Sequence, residues 1–187
     1  VRNIGGYVKA GLAPLPDRLP DLRLTGNLRA DVIAQGPVSF PWQPSWRAAA
    51  AYRFSPTLSA KLIVGRAFQV PSAVLNFARP GYGTIGNIVG VANVPGADPL
   101  RPQSVTSLQA AVSARLFGNF ALEAEVYYQD VKDRIEFVRY GSNYRAANQG
   151  DAKQVGLAGV LRFVRRPLSL YLSGNVLRDI VDGRLSD

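Results

Sequence analysis

The stretch from Leu22 to Ala34 constrains this chain most. Leu22, Leu24, Leu28, Ala30, Val32 and Ala34 occupy one parity; Asp21, Arg23, Thr25, Asn27, Arg29 and Asp31 occupy the other, with Gly26 keeping the register. Side chains of an extended backbone switch faces at every residue, so this segment carries one apolar and one charged surface. A helix would mix the two sets. Whatever the chain folds into must therefore supply an apolar medium on one side of a sheet and water on the other.

The same alternation recurs along the chain. A first hairpin is expected over about 5–34, with Val8, Ala10 and Leu12 on one face and a turn at Pro14-Leu15-Pro16-Asp17-Arg18, where proline cannot donate to a ladder. Residues 35–44 hold three prolines and are expected to form a loop. The second hairpin, 45–68, places Trp46, Ala48, Ala50, Tyr52 and Phe54 on one face and turns at Ser55-Pro56-Thr57. Segment 69–104 is rich in Pro and Gly, lacks periodicity and reads as a long loop, a length that usually carries function or disorder. The third hairpin, 105–138, turns at Gly118-Asn119 and is expected to continue past Tyr128, by way of a bulge, through Ile135 and Phe137. Residues 139–149 form a middle-sized loop. The fourth hairpin, 151–179, turns at Arg165-Arg166-Pro167, and 180–187 begin another loop.

Short connections (14–19, 55–57, 117–119, 164–167) alternate with longer ones (35–44, 69–104, 139–149). Short turns at one end and long loops at the other characterise transmembrane β-barrels, whereas a soluble β-sandwich has no such requirement. Phe54, Phe117, Phe120 and Phe163 sit beside short turns as an interfacial girdle would, and Trp42, Trp46, Tyr140 and Tyr144 lie toward the long loops. The fold expected is all-β: about eight antiparallel up-and-down meander strands of a transmembrane β-barrel, in a single partial barrel domain over 1–187. The uncharged stripe faces lipid, and the stripe with Arg29, Arg47, Lys61, Glu123 and Glu125 faces an aqueous lumen or a plug.

Composition removes several function classes. With no Cys and no His, the chain itself excludes disulfides, thiolate nucleophiles, His-based triads and the common zinc sites. Its 47% hydrophobic content never gathers into about 20 consecutive apolar residues, so no transmembrane helix is encoded. The net charge of +9 is spread singly along alternating strands and not gathered in a patch, which argues against a nucleic-acid partner. The chain begins with Val, contains no Met and shows no signal peptide, and so reads as a piece of something longer.

Isolated motifs have ordinary readings. Glu123 and Glu125 lie about 7 Å apart on one face and read as lumenal salt-bridge residues, not a catalytic pair. Asp130 and Asp133 form a strand-end polar cluster better than a Ca²⁺ site. Gly81-Tyr82-Gly83 and Gly86 lack the strand, helix and Lys of a phosphate loop. No cofactor, metal or enzymatic activity is expected.

Four segments resemble a known family. Gly65-Arg66-Ala67-Phe68-Gln69-Val70-Pro71-Ser72 is similar to the G-R-A-F-x-x-P-S signature of TonB-dependent outer-membrane receptor barrels. Asp98-Pro99-Leu100-Arg101-Pro102-Gln103-Ser104 resembles the family's N-x-x-L-x-P-E segment, with Gln103 in place of Glu. Tyr127 to Ile135 resembles Y-x-x-D-x-K-D-x-I, and Asn148 to Leu157 resembles N-x-G-x-A-x-x-x-G-x-E without the final Glu. The resemblance covers about 46–179. It implies active uptake of a scarce ligand such as a ferric siderophore, haem, cobalamin, a sugar or an oligopeptide, across the outer membrane of a Gram-negative cell. It also implies an inner-membrane TonB complex, a plug domain outside this segment, and outer-membrane lipid and lipopolysaccharide as surroundings. The family's barrel has twenty-two strands, so this segment resembles part of the C-terminal half, without a plug.

Within that resemblance, Arg66, Phe68, Pro71 and Pro102 are expected to be structural. The loop residues Arg79, Tyr82, Tyr140, Tyr144 and Arg145 are the ligand-contact candidates, since aromatics with Arg suit stacking and anion pairing. The competing reading is an autonomous eight-stranded outer-membrane barrel with a structural or adhesive role. An outer-membrane hydrolase and a soluble β-sandwich binding module are the remaining alternatives.

Overall fold

In a computed structural model, the residues described are 1–15, 17–35, 38–72, 75, 84–85, 100–140, 143–181 and 184–185. The strands in chain order are β1 (Arg2–Leu12), β2 (Leu22–Gln35), β3 (Val38–Ser55), β4 (Leu58–Gln69), β5 (Thr84–Ile85), β6 (Gln103–Leu116), β7 (Phe120–Lys132), β8 (Ile135–Tyr140), β9 (Asn143–Asn148), β10 (Ala152–Arg165), β11 (Leu168–Val181) and β12 (Arg184–Leu185). Eight long strands form one antiparallel meander, β1-β2-β3-β4-β6-β7-β10-β11, extended by β12. The sheet is open: β1 is paired only with β2.

Register explains why alternation in the sequence becomes two faces of one sheet. Leu12, Leu24, Ala50, Leu62, Ala110, Val126, Leu157 and Val176 are matched strand by strand into one row crossing all eight long strands. The facing level on the other side runs Arg23, Ala51, Lys61, Ala111, Glu125, Ala158 and Asn175. Leu62 is 49% exposed, Val126 52% and Val176 69%. A water-soluble sandwich would bury such a row under a second sheet; here it is left bare, as a lipid-facing wall requires. Buried hydrophobic residues are few among the described ones, and Ile33, Val38 and Phe40 form their one cluster.

Aromatics close the apolar band at the short-turn end. Phe120 and Phe163 are cross-strand partners with ring centroids 4.7 Å apart, and Tyr52 and Phe54 meet edge to face at 4.7 Å. Trp46 stands toward the other end, opposite Leu28. From Trp46 to Phe54 the strand rises about 26 Å along its own axis, matching a tilted bilayer crossing. The β6–β7 connection reverses through Phe117 and Gly118, both with positive φ (50° and 71°), a backbone that matches the twist of a hairpin and that glycine adopts without strain.

Four local expectations are corrected. Residues 38–44 belong to β3 and not to a loop: Phe40 pairs with Ile33 and Gln43 with Asp31, while an irregularity between Asp31 and Ile33 absorbs Pro41 and Trp42, the latter at φ 46°. β4 joins β3 only up to the pair Trp46–Arg66, so above that level β3 is an edge, where proline is tolerated. β7 ends at Lys132 and does not run on through Phe137, because Asp133 takes a positive φ of 53° and breaks the ladder. Residues 139–149 are mostly strand, since β8 and β9 form a hairpin. Finally, the chain after 180 is not wholly loop: β11 reaches Val181, and Arg184 and Leu185 pair back onto it.

The inner face also shows why one glycine is fixed. Gly156 is paired with Tyr127, and a Cβ there would overlap the Tyr127 ring, which lies across the glycine. Gly156→Ala is expected to push the ring off its seat and cost about 1–3 kcal/mol, the usual range for overpacking. Urea midpoints of vesicle-refolded protein would measure this. Adding Tyr127→Ala should recover most of the loss, and no recovery would rule out the ring contact as its cause.

Candidate functional site

Beyond the apolar band, at the end opposite the short turns, a polar knot ties five segments together. Asn148 is its hub. Its Oδ1 accepts from the Arg101 backbone N–H (2.8 Å), and its Nδ2 donates to the carbonyls of Arg101 (3.0 Å) and Asp133 (2.8 Å). Arg101 also pairs with the Asp133 carboxylate at 2.5 Å. One amide side chain thus serves backbone groups before β6 and after β7, which explains why a short polar residue capable of both donating and accepting stands there.

Gln103 makes a second bridge. Its Nε2 donates to Gln69 Oε1 at the end of β4 (2.8 Å), and its Oε1 accepts from the Ile135 N–H at the start of β8 (3.3 Å). A third link fastens the chain entering β10: Lys132 donates to Asp151 at 2.7 Å and lies 3.5 Å from Asp130. The hydrogen bond from Lys132 holds the Asp151 carboxyl below its ordinary value, partial desolvation opposing the shift. A carboxyl depressed in the folded state contributes stability above its unfolded value, about 4, and loses it as pH falls through the folded value. Asp151→Asn should therefore loosen the segment before β10 at neutral pH and match wild type in strong acid. Amide exchange of residues 149–152 across that range tests it; a pH-independent difference would contradict the ion-pair account.

The long segment is anchored as well. Gln35, 4% exposed, donates to the carbonyl of fully buried Pro71 (2.8 Å), and Phe68 and Val70 pack on the Ile33, Val38 and Phe40 cluster. Arg66 projects from the outer face, with Nη2 3.4 Å from Ser104 Oγ. Pro102 immediately precedes β6. The four segments singled out by their motifs thus close the loop end of the sheet, with Pro71, Gln103, Asp133 and Asn148 as points of attachment.

The sequence profile of the family described as "TonB dependent receptor-like, beta-barrel" matches residues 2–178. The chain belongs to this family. Among solved structures it resembles the copper transporter OprC (TM-score 0.73, 18% identity, 98% of this chain and 29% of that one). It also resembles the FrpB iron transporter from Neisseria meningitidis, F3-3 variant (0.70, 16%, 99% and 27%) and the siderophore receptor PirA from Pseudomonas aeruginosa (0.70, 19%, 96% and 34%). No curated protein matches the chain by sequence. The chain spans about a third or less of the length of these structural relatives. TonB-dependent receptors are outer-membrane receptors and transporters of Gram-negative bacteria, not enzymes.

As a segment of a TonB-dependent receptor barrel, the chain carries its predicted ligand contacts on two loop-end stretches. Arg79 and Tyr82 lie outside the described residues. Tyr140 closes β8 opposite Asn143, and Tyr144 and Arg145 lie on β9. Thr84 and Ile85 run parallel to Tyr144 and Arg145 in the order β5-β9-β8, so these two residues of the 69–104 segment lie beside β9. Backbone pairing places Tyr140, Tyr144 and Arg145, three of the candidates, in this small sheet. The polar-knot residues Gln35, Asn148 and Asp151 did not stand out in the sequence as tethers; for Asn148 and Asp151 the signal lay in the family-like spacing, and for Gln35 there was none.

Several of the other charged residues find structural partners. Asp130 and Asp133 engage Lys132 and Arg101, and no metal-sized group of three or more carboxylates exists among the described residues. Glu123 faces Arg162 at 3.9 Å on the inner face. Asp31, buried, takes two hydrogen bonds from Arg29 (2.7 and 2.8 Å), and Asp21 pairs with Arg53.

Proposed function

We propose that this chain is a wall segment of an outer-membrane receptor that takes up a scarce ligand actively, a ferric siderophore being the leading class. Its lumen would hold the receptor's own plug domain, and the inner-membrane TonB system would supply energy. The observation that carries the reading is the pairing of β5 with β9, which joins the 69–104 segment at Thr84 and Ile85 to the β8–β9 hairpin. Arg79, Tyr82, Tyr140, Tyr144 and Arg145 are proposed to contact the ligand there by stacking and by pairing with its anionic groups. The inner row of Arg23, Lys61 and Glu125 would then face the plug and not lipid.

The test is the size of the native product in isolated outer membranes, blotted with an antibody against 69–104. A band several times larger than the 20.2 kDa chain, together with loss of ferric-siderophore uptake on deletion of the gene, is expected. A heat-modifiable band near 20.2 kDa would instead mean an autonomous small barrel and end the transport reading.

A further inference from the structure

The inner face carries a niche that the loop-end knot does not use. Across β2, β3, β4 and β6 an open niche of about 410 Å³ is lined by Asn27, Ser45, Arg47, Gly65, Ser107 and Gln109 among others, and no carboxylate lines it. Register explains the arrangement. One level of the inner face reads Asn27, Arg47, Gly65, Ser107, Gln129 and Gln154 before it reaches Asp179. Arg47 is the one cation of that row, and Asp179 stands five strands away from it, about 24 Å at the usual spacing. Gly65 makes the floor. A Cβ there would come within 2.8 Å of the Trp46 carbonyl oxygen and 3.3 Å of Arg47 Cα, so glycine lets β3 and β4 approach and leaves the floor bare.

Arg47 is exposed and has no carboxylate partner among the described residues. On the β2 side Asp31 is buried and takes two hydrogen bonds from Arg29. It pairs in register with Gln43, four residues and about 13 Å along β3 from Arg47. Glu125 stands at the Lys61 level, four residues nearer the short turns. Around the guanidinium are two hydroxyls, Ser45 and Ser107, and two amides, Asn27 and Gln109, all able to donate and accept. A planar fork with a single charge matches one carboxylate, and the neutral groups beside it match hydroxyls on the same molecule. A neutral solute would leave the guanidinium unpaired.

We propose that this niche is a subsite for a hydroxycarboxylate group on the ligand, with Arg47 as a specificity-determining residue that selects chelates with a peripheral carboxylate over neutral ones. Arg47 donates two charge-assisted hydrogen bonds to the carboxylate, and Ser107 and Gln109 serve the neighbouring hydroxyl. The niche lies about 13 Å nearer the loop end than the Lys61 row assigned to the plug, so a ligand leaving the loop contacts meets it first. The inference deepens the receptor reading and rests on it.

The test labels the full-length receptor, plug included, with phenylglyoxal in detergent and reads each arginine by peptide mass spectrometry. The probes are ferric citrate and a ferric trihydroxamate that has no carboxylate. Arg47 should react in the free receptor, be protected about ten-fold by saturating ferric citrate, and stay reactive with the trihydroxamate or with chloride at equal ionic strength. Arg165, exposed at the short-turn end, should react alike throughout. Ferric citrate should bind Arg47→Gln about ten-fold more weakly than wild type, the scale of one lost charge-assisted bond. Arg47→Lys, which keeps the charge but not the fork, should fall between the two. Equal labelling of Arg47 with and without ferric citrate, equal protection by both chelates, or unchanged affinity in Arg47→Gln would each overturn the subsite. So would an Arg47 that is already unreactive in the free receptor, since the plug would then hold it. The labelling of wild type stands without any variant. Failure of the receptor reading would appear in the size of the native product, whereas failure of the subsite would appear in a full-length receptor whose Arg47 is not protected.

Discussion

Leu62→Arg should nearly abolish assembly of the barrel, whereas Ala111→Arg should be tolerated. The two positions lie on neighbouring strands at about the same level of the sheet, since Leu62 pairs with Ala110 and Lys61 with Ala111. Leu62 belongs to the apolar row that crosses eight strands, with Ala50 and Ala110 on either side. An arginine there meets hydrocarbon at mid-depth, which costs about 2–4 kcal/mol in a transmembrane barrel. At a factor of ten for each 1.4 kcal/mol, that is roughly thirty- to several-hundred-fold in the folded fraction. Ala111 looks inward, between Lys61 and Glu125. An arginine there stays hydrated and gains a carboxylate neighbour opposite. Heat-modifiability on gels and urea unfolding from vesicles would read both variants. Equal tolerance would mean that the faces have been assigned the wrong way round or that the sheet does not meet lipid.

That contrast can be set up from sequence because period-two alternation encodes a face directly. Leu22, Leu24 and Leu28 differ from Arg23, Thr25 and Asn27 at each step, and the ladder carries that difference across strands once register is fixed. The loop end is less legible. Pro37, Pro41 and Pro44 argue for a loop, but a proline is only as disruptive as the hydrogen bond it removes, and β3 at that height has a neighbour on one side only. Likewise Ile135 and Phe137 fall on the opposite parity from Val126 and Tyr128, and a single positive φ at Asp133 sends them into another sheet. Alternation shows the shift of parity but not whether a bulge within one strand or a break between two sheets takes it up. The ligand contacts are less legible still, since recognition by aromatics and Arg depends on how separate loops meet, and only the β5–β9 pairing reports that here.

Asn148→Asp should disrupt the loop end more than Asn148→Ala, although aspartate is the closer match in shape. The reason is the direction of the three hydrogen bonds. Asn148 accepts once, from the Arg101 N–H, and donates twice, to the carbonyls of Arg101 and Asp133. Alanine loses all three, about 0.5–1.5 kcal/mol each, and leaves water to re-solvate the freed groups, for a local loss of about 2–4 kcal/mol. Aspartate keeps the single acceptor but turns a carboxylate oxygen toward two carbonyl oxygens at hydrogen-bond distance. It also competes with Asp133 for Arg101, whose guanidinium now closes the knot at 2.5 Å. The same logic explains Gln103: an amide can donate to Gln69 and accept from Ile135 at once, which a carboxylate in its place could do only if Gln69 reversed its own amide. Amide exchange at Arg101, with proteolysis between β8 and β9, would rank the variants as wild type, then alanine, then aspartate from most to least protected. The apolar band should keep its urea midpoint in all three, because the knot lies beyond it. Aspartate behaving like wild type would show that Nδ2 does not hold the two carbonyls, and the tie between the β8–β9 hairpin and the barrel wall would need another origin.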